Sequence, residues 1–177
     1  MKLDKLFGSK AKADILKYLV FRRQGISVRA FESELEWSFP AIKKQIDQLE
    51  DAGVVDINKD QNKWSIYLTE WLWLYIKNLM VYMLQCDLIK YFDGYELVIN
   101  RYFFGNLFGK KLEIDLVVIY SQTAADHVEA LKKDIEEIFR EYLIEHVVVW
   151  FMPSAEFDKR YRVADKFVLN LLRSEKE

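Results

Sequence analysis

Two acidic residues in the second half of the chain have the type and spacing of a metal site. Glu113 and Asp115 lie one residue apart in a run, 113–120, that the sequence predicts as a strand. Alternate residues of a strand point to the same face, so we expect the two carboxylates to lie together. Carboxylate oxygens suit Mg²⁺, and the turn before them, at Gly105 and Asn106, can offer backbone N–H groups to a phosphate. These four residues form a candidate nucleotide and metal site.

A second set of residues has the types that reach DNA bases and phosphates. The segment from Ser38 predicts a helix, because Ser38 can cap it and Pro40 fits its first turn. Ile42, Ile46 and Leu49 have helical spacing and are expected to face the core. The candidate DNA-binding residues lie elsewhere on this helix and at the tip of the hairpin predicted after it: Ser38, Phe39, Ala41, Lys43, Lys44, Gln45, Gln48, Lys59 and Lys63. The alternative is a charged face that is only solvated.

Hydrophobic spacing and end signals predict the elements that position both sets. In the first half we expect helices over 9–21, 28–35 and 38–53, strands over 54–57 and 64–68, and an apolar helix over 71–84. Three helices followed by a hairpin give the order of a winged helix-turn-helix, whose third helix enters the DNA major groove. In the second half we expect strands over 97–104, 113–120 and 146–152, the last of them central, and helices over 123–142 and 157–172.

The run from Ser38 to Val55 resembles the recognition-helix segment of ArsR- and MarR-type winged-helix regulators. The shared pattern is a serine, a small residue, a β-branched residue, and then leucine and Ala-Gly-aliphatic before the wing. The resemblance implies double-stranded DNA as a partner and a homodimer whose interface is a long helix after the wing. The candidate interface residues are Trp71, Trp73, Leu74, Met80, Val81 and Leu84, although the same helix could instead be the seam between the two halves of the chain.

The second half resembles the minimal nucleotidyltransferase fold, through Phe104-Gly105-Asn106 followed by Glu113-Ile114-Asp115-Leu116. Asn106 stands where that family has serine, and Glu113 replaces its first aspartate. The strand predicted over 146–152 supplies no third carboxylate, which two-metal phosphoryl transfer needs. We therefore expect a nucleotidyltransferase-like domain without catalysis and without a cofactor, with a nucleotide or a protein as its ligand. Mg²⁺ enters only under the alternative of an active enzyme.

Composition excludes several other classes of protein. The 177 residues carry 26 Lys and Arg against 28 Asp and Glu, so the net charge of −2 gives no general affinity for a polyanion. Cys86, His127 and His146 are scattered singly, which excludes an ArsR-type thiolate metal sensor. We expect no membrane segment, because charges interrupt the helix over 71–84, and no secretory signal at the charged start of the chain. A cytoplasmic protein is the resulting expectation.

These observations predict an α+β chain in three parts. They are a winged helix-turn-helix DNA-binding domain over 1–69, a linking or dimerisation helix over 70–90, and a small, inactive α/β nucleotidyltransferase-like domain over 91–177. The predicted function is a homodimeric DNA-binding transcriptional regulator whose second half senses a ligand or organises assembly. Two alternatives stay open: a nucleotidyltransferase that uses Glu113 and Asp115 with Mg²⁺, and a protein-interaction module such as an antitoxin or adaptor.

Overall fold

The computed structural model describes residues 3–60, 63–121 and 127–175. It is a mixed α+β chain that divides into two compact units. The first unit comprises Met1–Met83 and Glu141–Ile144, and the second comprises Leu84–Arg140 and Glu145–Glu177. The boundary between them at 83/84 falls inside one long helix, so the segment predicted as a separate link over 70–90 contributes residues to both units.

The first unit follows the predicted order of three helices, a hairpin and a long helix, with one short helix before them. Its elements are α1 (Leu3–Phe7), α2 (Lys10–Phe21), α3 (Val28–Leu35), α4 (Phe39–Asp51), β1 (Val55–Asp60), β2 (Lys63–Leu68) and the first part of α5 (Glu70–Asp93). The helices predicted over 9–21 and 28–35 and the hairpin are confirmed, whereas α1 was not predicted. Strands β1 and β2 pair antiparallel, with Val55 opposite Leu68 and Ile57 opposite Ile66.

Serine caps and buried aliphatic side chains explain the first unit. The hydroxyl oxygens of Ser9 and Ser27 accept hydrogen bonds from the backbone N–H groups of Lys12 and Ala30, which start α2 and α3. Ile66 of β2 is fully buried and forms a bridge with Ile26, so that the hairpin is anchored to the loop between α2 and α3. Ile42 and the other predicted core residues of α4 are buried, as their spacing required.

The second unit is a three-stranded mixed sheet with helices. Its elements are the end of α5, β3 (Ile99–Phe104), a 3-10 turn (Asn106–Phe108), β4 (Leu116–Tyr120), α6 (Val128–Glu141), β5 (Val149–Pro153), α7 (Ser154–Arg162) and α8 (Lys166–Ser174). The strand order is β3–β4–β5, with β3 antiparallel and β5 parallel to β4. The helix predicted over 123–142 corresponds to α6, and its predicted first residues, 123–126, lie outside the described residues.

The central strand of this sheet is β4, which corrects the prediction that the strand over 146–152 is central. Leu116 to Ile119 are all buried, whereas Trp150 of β5 is 36% exposed. Val117 and Ile119 pack with Phe157 of α7 and with Val168 and Leu171 of α8 in one core cluster. Two segments of the second half are continuous apolar runs, and only β4 is buried along nearly its whole length, so the run alone did not identify the central strand.

The helix predicted over 157–172 is two helices. Ala164 adopts a left-handed backbone conformation, with φ 53°, between the end of α7 and the start of α8. One carboxylate oxygen of Asp165 accepts hydrogen bonds from the backbone N–H groups of Phe167 and Val168, at 2.9 and 3.2 Å. Asp165 is thus the N-cap of α8. The apolar spacing continues from α7 into α8, so it did not reveal that the helix is interrupted between Arg162 and Lys166.

Helix α5 carries apolar residues on two faces. Met80, Met83, Leu84 and Leu88 are buried, whereas Trp71, Leu74, Tyr75, Leu79 and Tyr82 are exposed. The second set follows a spacing of three and four residues, which places it along one stripe of the helix. Among the described residues, no helix is long and apolar enough to cross a membrane.

Candidate nucleic-acid interface

The start of α4 is held by a residue of α3. Ser38 occupies the N-cap position, but its side chain makes no capping hydrogen bond, so its predicted capping role is wrong. The backbone N–H of Phe39 donates instead to Oε1 of Glu32, at 3.1 Å. A carboxylate satisfies an exposed N–H at a helix start and interacts favourably with the helix dipole. The hydrogen bond from Phe39 to Glu32 therefore connects the start of α4 to α3.

The outer face of α4 is narrower than the sequence predicted. Ser38, Phe39, Lys44 and Gln48 are exposed, whereas Ala41, Lys43 and Gln45 are half-buried. The Oε1 atom of Gln45 is buried and has no hydrogen-bond partner among the described residues, so the prediction that Gln45 lies on the exposed face is wrong for this atom. Gln45 lies one helical turn before Leu49, which draws it toward the core. Lys44 and Gln48, one turn apart, remain the outward-facing pair.

The hairpin brings two of the predicted lysines together around an aromatic ring. The Nζ atoms of Lys43 and Lys59 lie 6.0 and 5.1 Å from the ring centroid of Trp64, which is 43% exposed. Each ammonium group also pairs with an acid of α4: Lys43 with Asp47 at 2.8 Å, and Lys59 with Glu50 at 3.8 Å. Trp64, which the sequence analysis did not single out, thus links the hairpin to α4. The side chain of Lys63 lies outside the part that the structure describes.

Two exposed cations of α3 and α4 lack such partners among the described residues. Lys44 of α4 and Arg29 of α3 are exposed, and neither forms an ion pair with a described residue. Arg29 was not predicted as a site residue, since nothing in its local pattern separates it from any surface arginine. Two exposed acids are close to these cations in the chain: Glu32 belongs to α3, and Glu36 lies between α3 and α4. The surface is therefore mixed in charge, with its unpaired positive charges on two adjacent helices.

The predicted dimer-interface residues divide between the two faces of α5. Trp71 and Leu74 are exposed, and Trp73 and Val81 are half-buried. Met80 and Leu84 are completely buried within the chain, so they belong to its core and are wrong as interface residues. Tyr75, Leu79 and Tyr82 complete the exposed stripe and were missed. The sequence shows apolar residues on both faces, and only packing decides which face the chain itself covers.

The candidate nucleotide and metal site of the second unit is used by the fold itself. Strand β4 begins at Leu116, so Glu113 and Asp115 precede it, and the prediction that they share a strand face is wrong. Gly105 packs against the backbone before β4, where an added Cβ would lie 1.7 Å from the carbonyl oxygen of Ile114. The N–H groups of Gly105 and Asn106 donate to the carbonyl oxygens of Asp115 and Ile114, at 2.8 and 2.9 Å. This turn is a close backbone contact.

The remaining backbone N–H groups of the turn also have hydrogen-bond acceptors within the protein. The N–H groups of Phe108, Gly109 and Lys110 donate to carbonyl oxygens of the turn itself. The N–H of Leu107 donates to Oδ1 of Asp115 at 3.1 Å, and the N–H of Val148 donates to its Oδ2 at 2.9 Å. Each N–H that a phosphate would need has a protein acceptor, and both oxygens of Asp115 join the turn to the segment before β5.

The described residues contain no group of three or more His, Cys, Asp or Glu side chains that could hold a metal ion. Cys86 is a half-buried free thiol on α5.

No protein-family model matches the chain, and no curated protein matches it. A solved structure that resembles it is the crystal structure of the transcriptional regulator PA3341, with a TM-score of 0.34 and 19% sequence identity over 56% of this chain and 88% of that chain.

Proposed function

We propose that the chain is a DNA-binding transcriptional regulator that acts as a homodimer, with α4 as the recognition helix and the β1–β2 hairpin as a wing. The observation that carries the proposal is the outward-facing pair of Lys44 and Gln48 on α4, whose opposite face, at Ile42 and Ile46, is buried. A helix that is anchored on one side can be inserted into the major groove without loss of core packing. Lysine then contacts phosphate or guanine, and glutamine contacts adenine.

The lysines around Trp64 support the same proposal. Lys43 and Lys59 form ion pairs whose side chains are 38–54% exposed, and pairs that solvent reaches contribute at most about 1 kcal/mol. Exchange of Asp47 and Glu50 for DNA phosphates therefore costs little. The nearby acids lower the general attraction to DNA, so we expect modest non-specific affinity and a reliance on base contacts.

The exposed stripe of α5 supports a homodimer. Trp71, Tyr75 and Tyr82 are 67%, 69% and 64% exposed, and Leu74 and Leu79 lie between them. A fully exposed aromatic side chain has a surface of about 150–250 Å², so the exposed fractions of the five residues add up to an accessible area on the order of 500–600 Å². A standard interface buries about 800 Å² per partner, so two copies of the stripe across a two-fold axis supply most of it. A second copy of this chain is the occupant that we propose.

DNA binding is tested by selection of a preferred duplex from a random library, followed by mobility-shift titration at several salt concentrations. We expect Lys44→Ala to weaken binding to all sequences and to reduce the salt slope by about one. We expect Gln48→Ala to cost about 1–3 kcal/mol on the preferred site and to relax base preference at one position. Lys133→Ala, an exposed lysine of α6, removes the same charge and serves as the control. Unchanged affinity of the Lys44 variant contradicts the proposed surface.

Dimerisation is tested by light scattering after size exclusion. We expect a mass of twice 21.2 kDa for the wild type and the single-chain mass for Tyr75→Asp. Tyr161→Asp changes a tyrosine of α7 that is 54% exposed and serves as the matched control, so we expect it to remain a dimer. A wild-type monomer, or a dimer that persists in the Tyr75 variant, contradicts the interface.

For the second unit we propose a role in ligand sensing or assembly, without catalysis and without a cofactor. The hydrogen bonds of Asp115 to Leu107 and Val148 support a structural carboxylate. Incubation with labelled nucleoside triphosphates and Mg²⁺ is the test, and we expect no label to be transferred. Circular dichroism checks that Asp115→Asn and Glu113→Gln keep the wild-type fold. Label transfer that is lost in the folded Asp115→Asn variant contradicts the non-catalytic role.

A further inference from the structure

The second unit contains a pocket of about 410 Å³ beside the turn that follows β3. Its aromatic walls are Tyr102 and Phe104, which lie on the same face of β3, and Phe108 of the 3-10 turn. Gln85, Lys110 and Glu175 are among the other residues that line the pocket. The volume is within the range of small-molecule sites, which lies at about 300–1,000 Å³.

The rings form an aromatic cluster whose planes are inclined to one another, by 68° between Tyr102 and Phe104 and by 55° between Phe104 and Phe108. The centroids of Tyr102 and Phe104 are 5.5 Å apart, and those of Phe104 and Phe108 are 4.6 Å apart. All three residues are half-buried, so each keeps part of its ring surface accessible. Tyr102 also contacts the buried Phe92 of α5, at 4.5 Å between centroids, which joins the cluster to the core of this unit. Such a cluster favours an aromatic ligand ring, which can stack on one of these rings and meet the next one edge to face, at about 4.5–7 Å between centroids.

The charges of the pocket leave one cation without a partner. The carboxylate of Glu175 accepts hydrogen bonds from Nε of Arg101, at 3.3 Å, and from Nη2 of the same guanidinium, so its charge is neutralised. Lys110 is half-buried, and its ammonium group pairs with no carboxylate of the described residues. Burial and the charge of Asp93 raise the pKa of Tyr102 above its ordinary value, and its hydroxyl, protonated at neutral pH like that of any tyrosine, can donate a hydrogen bond. The pocket therefore complements a negative charge next to an apolar plane.

We propose that this pocket binds a small planar aromatic acid, with its ring against Tyr102, Phe104 and Phe108 and its anionic group at Nζ of Lys110. The binding does not require DNA. Its role as the signal that the regulator senses rests on the proposed function.

The binding is tested by titration calorimetry of the full chain with three probes. They are 2-naphthoate, 2-naphthalenemethanol, which keeps the ring and lacks the charge, and cyclohexanecarboxylate, which keeps the charge and lacks the aromatic ring. We expect 2-naphthoate to bind about tenfold more tightly than either of the others, because each of the other probes lacks one interaction, a charge-assisted hydrogen bond or ring stacking, and a tenfold loss corresponds to about 1.4 kcal/mol. Equal affinities for all three, or no binding of 2-naphthoate, overturn the proposal.

Variants of two neighbouring lysines place the anion. Lys110→Met keeps the length of the side chain and removes its charge, and we expect it to weaken 2-naphthoate about tenfold and to leave 2-naphthalenemethanol unchanged. Lys111→Met is the matched control, since Lys111 is exposed and lies outside the pocket lining. Undiminished binding of 2-naphthoate by the Lys110 variant overturns the proposal. A parallel mobility shift without probe reports DNA binding alone, so failure of the regulator role and failure of the pocket are read separately.

Discussion

Oε1 of Glu32 on α3 accepts a hydrogen bond from the backbone N–H of Phe39, the first residue of α4, at 3.1 Å. A negative charge therefore occupies the start of the proposed recognition helix. The N-terminus of a helix also attracts a DNA phosphate, because its free N–H groups and dipole favour anions. Glu32 thus stabilises α4 in the free protein and competes with the phosphate that would replace it.

From this relationship we predict that Glu32→Gln strengthens DNA binding and slightly weakens the fold. A carboxylate at a helix start contributes about 0.3–1 kcal/mol, which corresponds to about two- to fivefold in DNA affinity. Mobility-shift titration measures the affinity, and urea denaturation measures the free energy of unfolding. Glu36→Gln removes an exposed acid that makes no bond to α4 and is the control. A Glu32 variant that binds DNA more weakly than wild type shows that no phosphate approaches this helix end.

We predict that alanine substitutions of two serines in equivalent N-cap positions differ in their effect on stability. Ser27→Ala removes the acceptor for the N–H of Ala30, at 3.2 Å, and should lower the free energy of unfolding by about 1 kcal/mol. Ser38→Ala removes no capping bond and should change it by less than about 0.5 kcal/mol. Urea denaturation of both variants is the measurement. If Ser38→Ala lowers DNA affinity at unchanged stability, the hydroxyl contacts DNA directly, whereas equal loss of stability in both contradicts the structure of the α4 start.

We predict that two glycines of one turn differ sharply in their tolerance of alanine. At Gly105 an added Cβ would meet the carbonyl oxygen of Ile114, which belongs to the backbone and cannot rotate away. Gly105→Ala should therefore cost more than about 4 kcal/mol or prevent folding. Gly109 has φ 82° and open space around its Cα, so Gly109→Ala should cost only about 1 kcal/mol. Thermal unfolding followed by circular dichroism distinguishes them, and similar losses contradict the close contact.

The glycine at 105 also explains what sequence could and could not predict. Gly105, Asn106, Glu113 and Asp115 were predicted as a nucleotide and metal site, from a glycine turn that is followed by two acids. Their residue types did not reveal whether the turn binds a phosphate or its own backbone. That choice depends on the approach of Ile114, a contact across the turn that no local spacing records.

Local signals predicted the first unit better than the second. The helices from Ser9 to Phe21 and from Val28 to Leu35 follow from caps and spacing within each segment. The order of the sheet and the face of α5 that the chain covers depend on partners distant in sequence, as at Leu116 and Met80. Apolar residues marked those segments as buried, but the pattern did not identify what buries them.

The last prediction concerns pH and a tyrosine of α5. The hydroxyl of Tyr91 donates to Oδ2 of Asp134 on α6, at 2.8 Å. Burial, and then this hydrogen bond, raise the pKa of Tyr91 well above its ordinary value of 10.0. The unfolded chain therefore releases this proton at a lower pH than the folded chain does. The stabilisation by Tyr91 is fully present below pH 10 and is lost as the pH rises further.

We expect the free energy of unfolding of the wild type to fall by about 1.4 kcal/mol per pH unit above pH 10, relative to Tyr91→Phe. Urea denaturation at closely spaced pH values between neutrality and pH 11 gives the difference between the two proteins. At neutral pH the wild type should be more stable by about 1 kcal/mol, because the variant leaves Asp134 without this donor. Tyr161→Phe, on α7, corrects for the general loss of a tyrosine. A wild-type advantage that stays constant to pH 11 means that the Tyr91 hydroxyl is not held in its protonated form by the fold.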